Sequence, residues 1–274
     1  MIFDFTFDAI EDVRPWGNPK NLSISWFALT QGNYRLKVGN EYLLNYTDEF
    51  VNYLSEKYPE YTHCQTTFVD YYVVRLWEDI LEILPAILES VPQHLQHFLN
   101  SGYENYQSLD KSTSDWWKSD SPKQISENES WEIFHLATGW INNRWLDSAY
   151  LSPSTRIWIW SDENDVIISW DNRQIKVEGI SIWSASQENY RINKREFINE
   201  IQNFDGQLFA EMNKRVEDVC RNWKNAEIKI NFEQLRSEQK NRATWLESKL
   251  KDFCKTDWNE VVSAIELINS RLRF

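Results

Sequence analysis

The chain has 274 residues, 42% of them hydrophobic and 15% aromatic, with only 7 Gly and 7 Pro. A chain of this length buries roughly 70 to 75% of its unfolded surface, and this composition excludes disordered, collagen-like and low-complexity classes. The formal net charge of −13, with no segregated basic run, disfavours nucleic acid as a partner because phosphate backbones would be repelled.

In IFDFTF, Phe3, Phe5 and Phe7 alternate with Asp4 and Thr6, the period of a half-buried strand. A second strand is expected in SISWFAL, and a turn around Gln31 to Asn33 then leads into YRLKV. Gly39-Asn40 carries the chain into YLLNY, so an antiparallel N-terminal sheet follows. The stretch TTFVDYYVVRLWEDILEIL changes period: Thr67 is placed to cap, and Val69, Tyr72, Val73, Leu76, Ile80, Ile83 and Ile87 follow one helical face. Pro85 either kinks this helix or opens a following one.

Residues 101–130 are polar around Trp116-Trp117 and read as a long loop or an intermittently helical connection. WEIFHLATGWINNRWLDSAY has a helical pattern through Trp131, Phe134 or His135, Thr138, Ile141 and Trp145, with Gly139 as a weak point. Three strands are expected next, RIWIW, VIISW and a segment ending at Trp183. Their short connections favour an antiparallel meander over the crossovers of a Rossmann arrangement. In RIWIW both faces are apolar, so the strand is expected to be covered on both sides.

From Lys194 the chain turns helical. Phe197, Ile201, Phe204, Leu208, Met212, Val216, Val219 and Trp223 form a stripe, a second helix spans Phe232 to Phe253 with Gln239 and Arg242 interrupting its apolar face, and a third begins at Trp258. The predicted class is α+β, with antiparallel sheet elements and a helical C-terminal region. Residues 1–100, 101–130, 131–190 and 191–274 form successive parts of one integrated domain.

The acidity is regional. Residues 1–190 carry 28 Asp or Glu against 13 Lys or Arg, and residues 191–274 carry 14 against 16. A basic partner would be steered toward the first 190 residues, with solubility alone as the competing reading. Cys64, Cys220 and Cys254, odd in number and widely spaced, suit reduced thiols in the cytoplasm. The opening MIFDFTFDAI lacks the pattern of a signal peptide, and no run of 18 apolar residues suggests a membrane span.

No Walker, Rossmann, nucleophile-elbow, zincin or EF-hand motif is present, so no cofactor is predicted. His94 and His97 lack a third ligand, which leaves no predicted metal site. His63-Cys64 are adjacent and point apart in regular structure, a poor geometry for a nucleophile and base. Arg75, Glu78 and Asp79 share one helix edge, where the same spacing serves helix-stabilising pairs, ligand recognition or acid–base chemistry. His135, Arg144 and Asp171 are polar groups beside Trp-rich elements and complete the candidate partner or ligand contacts. No residue is assigned a catalytic role.

The blocks RPWGNPKNLSISWFALTQGNYRLKVG, VDYYVVRLWEDI, IISWDN, GISIWSAS and EFINEIQNFDGQLFAEMNKRV resemble an uncharacterised bacterial family, the domain of unknown function DUF5984. The resemblance covers nearly the whole chain and marks Pro15, Trp16, Gly17, Trp26, Gly32 and Tyr34, then Arg75, Trp77, Glu78 and Asp79. Further on it marks Trp170, Asp171, Trp183, Phe204, Met212 and Arg215. Gln187 departs from it, standing where a glycine-like turn is expected. The resemblance implies no activity; it implies kinship with small acidic proteins encoded beside bacterial toxin systems, and hence an immunity role. Physically the blocks read as fold-forming: Pro15 and Gly17 set a turn for the Trp16 ring, and Gly32 permits a tight connection.

The expectation is a cytoplasmic, non-catalytic binding protein that neutralises a toxin by occupying a basic surface. An enzyme with an aromatic-lined polar pocket and a structural or regulatory assembly protein are the alternatives. An exposed aromatic patch with a negative fringe would favour binding.

Overall fold

A computed structural model of the chain describes residues 2–59, 66–100, 103–118 and 126–271. Strands β1 (Ile2–Phe7) and β2 (Leu22–Ser23) precede β3 (Gln31–Val38), β4 (Glu41–Leu43), helix α1 (Asp48–Lys57), β5 (Val69–Tyr72) and α2 (Val73–Leu88). Helices α3 (His97–Asn100), α4 (Tyr103–Lys118) and α5 (Glu127–Asn142) follow. They lead to β6 (Ile157–Ser161), β7 (Asp165–Asp171), β8 (Lys176–Val177), β9 (Ile180–Ser181) and β10 (Gln187–Asn193). The C-terminal region is helical: α6 (Lys194–Asn222), a short β11 (Ile228–Lys229), α7 (Phe232–Arg242), α8 (Trp245–Lys249) and α9 (Trp258–Arg271). The fold is mixed α+β with antiparallel sheets, and its residues group into two compact units. One draws on 1–82, 173–185 and 195–251, the other on 83–172, 186–194 and 252–274.

In the first unit, β3 pairs antiparallel with β1, β4 and β5. The alternation of β1 buries Phe3, which stacks on Phe204 of α6 with ring centroids 4.4 Å apart. The predicted α6 stripe from Phe197 to Val219 is buried, as an amphipathic helix requires. Parallel pairing of β2 with β11 ties the chain after α6 to the N-terminal segment. The β8–β9 hairpin turns through Glu178 and Gly179 at positive φ, the requirement of a tight hairpin turn.

In the second unit, β7 lies between β6 and β10, antiparallel to both. Every residue of β6 is buried. Its Trp158 and Trp160 join a core with Leu109 and Trp116 of α4, Trp140 of α5, and Ile265 and Ile268 of α9. Three helices thus supply the cover expected for the apolar Trp face.

Several local expectations are corrected. The third strand beside β7 is β10 and not the segment ending at Trp183; β10 is largely exposed and polar, so its apolar alternation is faint. Gln187 opens β10, opposite Asp171. The helix expected from Thr67 starts at Val73, because Val69 to Tyr72 instead pair with the edge of β3. Thr67 does not cap it: its hydroxyl donates to Asn45 Oδ1 at 2.9 Å. The polar stretch after residue 100 contains the 16-residue α4, whose buried Leu109, Thr113 and Trp116 recur at helical spacing among polar residues. Gln31 to Asn33 lie within β3, and Gly32 is required by close approach: a Cβ there would sit 2.1 Å from the Thr6 carbonyl oxygen. Trp16 is not docked in a core; it is 52% exposed and its indole N–H donates to the Tyr72 hydroxyl at 3.1 Å. The helix expected over Phe232 to Phe253 divides into α7 and α8, leaving Phe253 exposed.

Candidate functional site

Helix α5 opens with Ser126, whose hydroxyl accepts the Glu129 backbone N–H at 3.2 Å. Glu127 and Glu129 stand in its first turn, where the helix dipole favours negative charge. The helix buries Ala137, Thr138, Trp140 and Ile141. Nearer the start of the helix and one turn apart, Trp131 and His135 remain exposed, their rings stacked with centroids 5.5 Å apart. Trp117 of α4 approaches Trp131 to 4.8 Å, and Phe134 lies 6.0 Å from both. The result is an aromatic face at whose centre Trp131 is 45% exposed.

Glu127, Glu129 and Glu132 are all exposed along the same helix. Among the described residues none of the three carboxylates enters an ion pair. The second unit as a whole holds 18 Asp or Glu and 10 Lys or Arg, a net of −8, and the first holds 24 and 19, a net of −5. The acidic excess is therefore denser per residue in the unit that carries this aromatic face.

Of the residues singled out from the sequence, His135 belongs to this face. Arg75, Glu78 and Asp79 belong to the first unit, and His135, Arg144 and Asp171 to the second. Arg75 pairs with Asp79 at 3.0 Å and lies 3.7 Å from Glu78. Glu78 accepts from Arg242, whose guanidinium carbon sits 4.7 and 4.8 Å from the ring centroids of Trp26 and Trp245.

Arg144 is fully buried and donates to the Trp140 carbonyl at 2.7 Å and to Glu89 Oε2 at 3.0 Å. Glu89 also accepts the backbone N–H and hydroxyl of Thr256, each at 2.6 Å. Burial pushes the Glu89 carboxyl up, but the Thr256 hydrogen bonds and the Arg144 charge outweigh it and hold the group below the ordinary glutamate range. Asp171 is buried and accepts the Tyr103 backbone N–H at 3.1 Å. His97 Nδ1 lies 2.9 Å from the His94 carbonyl oxygen. His63 and Cys64 lie outside the described residues. Among the described residues no three His, Cys, Asp or Glu side chains group to hold a metal, and no helix is long and apolar enough to cross a membrane.

Sequence reading missed the partners, not the candidates. Arg242 looked like a break in an apolar face, and Glu89 and Thr256 carry no motif that links residues 167 positions apart. The exposure of Trp131 was equally invisible, since its helical spacing is that of a core residue.

A family model described as "Family of unknown function (DUF5984)" matches residues 2–264. No curated protein and no solved structure matches the chain.

Proposed function

Within the DUF5984 family, to which this chain belongs, we propose for this protein a non-catalytic binding role. Its aromatic face on α4 and α5 engages a basic protein partner, and the fitting partner is a bacterial toxin whose cationic active or binding surface becomes occupied in the cytoplasm. The observation that carries this reading is the exposed Trp131 ring on a helix whose exposed Glu127, Glu129 and Glu132 enter no ion pair among the described residues, with Glu127 one turn before the ring. Exposed clustered rings rimmed by charge are characteristic of interaction sites, and aromatic anchors dominate binding energy. A fringe of one sign selects a partner of the other sign and opposes self-association through the same face.

An enzymatic reading built on Arg75, Glu78 and Asp79 has weaker support, because those groups are already engaged in ion pairs with one another and with Arg242.

The test is growth rescue, with this protein co-expressed beside the toxic product of a neighbouring gene in its source genome, together with binding of the purified pair. Rescue is expected from the natural protein and loss of rescue from Trp131→Ala and from a Glu127→Gln, Glu129→Gln, Glu132→Gln triple variant. Affinity should fall about tenfold or more between low and high salt. Absence of rescue by the natural protein, or binding indifferent to salt and to Trp131, overturns the proposal.

A further inference from the structure

A cleft of about 420 Å³ opens within the second unit between the Ser90–Gln96 segment, the turn joining β6 to β7, and Trp258 at the start of α9. Its size lies within the range of small-ligand sites. Its polar lining is rich in acceptors. The Glu163 carboxylate is exposed and enters no ion pair among the described residues. Among the described residues Gln93 and Asn164 present side-chain amides with no hydrogen bond, and Gln96 spends its amide N–H on the Val91 carbonyl at 2.9 Å.

Asp162 is already occupied: it accepts from the backbone of Asn164 and Asp165 and from Arg191 at 2.6 Å. Lys194 donates to the Ser90 hydroxyl at 2.9 Å. The corner therefore sets three carboxylates, Asp162, Glu163 and Asp165, against two cations, Arg191 and Lys194, and a single added positive charge would balance it.

We infer that this cleft receives the guanidinium of an arginine side chain from the protein partner, held against the Trp258 indole and hydrogen-bonded to Glu163 and the neighbouring amide oxygens. This deepens the proposed function, since it rests on a basic partner and names the group that anchors it. A guanidinium suits the lining better than an ammonium on two counts. It is flat and stacks on an indole, and its five donors lie in a fixed fork that serves several acceptors at once. Trp258 already takes part in one such contact: the Arg144 guanidinium carbon lies 5.4 Å from its ring centroid, with its charge compensated by Glu89.

The experiment is an NMR titration of the full chain with N-acetyl-arginine amide, with N-acetyl-lysine amide and a methyl glycoside as comparison ligands. It follows the Trp258 indole and the Gln93 and Asn164 side-chain amides. Saturable shifts are expected with the arginine compound, and about tenfold weaker ones with lysine. Glu163→Gln should weaken arginine binding by about tenfold or more, the loss of one charge-assisted hydrogen bond. Glu163 is exposed, so this variant leaves the fold intact.

No saturable shift, equal response to lysine, tighter response to the glycoside, or indifference to Glu163→Gln overturns the inference. The outcome separates from the growth rescue, because the residues altered there lie on α5 and leave the cleft lining untouched. Rescue without arginine binding sinks only the cleft, and arginine binding without rescue sinks only the toxin reading.

Discussion

Arg242 donates to the carboxylate of Glu78, a residue 164 positions earlier, and does so with its guanidinium between the rings of Trp26 and Trp245. Both side chains are largely buried, so the pair works in a medium where leaving one partner alone is costly. Replacing Arg242 by Met keeps most of the stem and removes the charge. A loss of about 3 kcal/mol is expected in urea unfolding, with Arg242→Lys intermediate because the ammonium cannot stack as a flat group. A loss below about 0.5 kcal/mol would show that the network contributes nothing measurable.

The Glu89 carboxyl is held below its ordinary value of 4.5 by Thr256 and Arg144 against the opposing effect of burial. A carboxyl depressed in the folded state adds stability that is present above the unfolded value. That stability is lost as pH falls through the folded value. Urea midpoints should therefore drop from about pH 6 to about pH 3, and Glu89→Gln should be less stable at neutral pH with a smaller acid drop. Equal acid sensitivity in the two proteins would remove Glu89 from the account.

Trp131 and Trp116 provide a matched contrast. Trp131 is 45% exposed and Trp116 is fully buried in the second unit's core. Trp131→Ala should change unfolding free energy by less than about 1 kcal/mol, whereas Trp116→Ala should cost about 3 to 5 kcal/mol. If Trp131→Ala proved as damaging as Trp116→Ala, its ring would be part of the packing and not of a recognition face.

Gly32 and Gly179 should respond differently to alanine. At Gly32 the added Cβ would meet the Thr6 carbonyl oxygen at 2.1 Å, so β1 must separate from β3. Gly179 has open space but φ +88, where the penalty is backbone strain of about 1 to 2 kcal/mol. Thermal unfolding should show the larger loss for Gly32→Ala, accompanied by faster hydrogen exchange of the β1 amides. Retained β1 protection would contradict the clash.

Legibility followed the strength of the local signal. The alternation in β1, the two-sided apolar β6 and the long α6 stripe could be read directly, because each buries a face that repeats with its own backbone period. Helix α4 and strand β10 were obscured because most of their residues face water, so burial marks only a few positions in each. The candidate Arg144 was legible as an arginine among tryptophans, but its charge partner Glu89 stands 55 residues away with nothing in between to connect them.

By itself the sequence determined the α+β class, the acidic balance, the helical C-terminal region and the kinship with one family, since these follow from composition, period and ordered blocks. Only the tertiary structure decided which polar groups are neutralised and which remain open. Arg75, Glu78, Asp79, Arg144 and Asp171 all found internal partners, while Glu127, Glu129, Glu132 and Glu163 kept exposed carboxylates that enter no ion pair among the described residues. The physical reason is that charge pairing and exposure depend on distances of a few ångströms between residues far apart in the chain, and no local period encodes those distances.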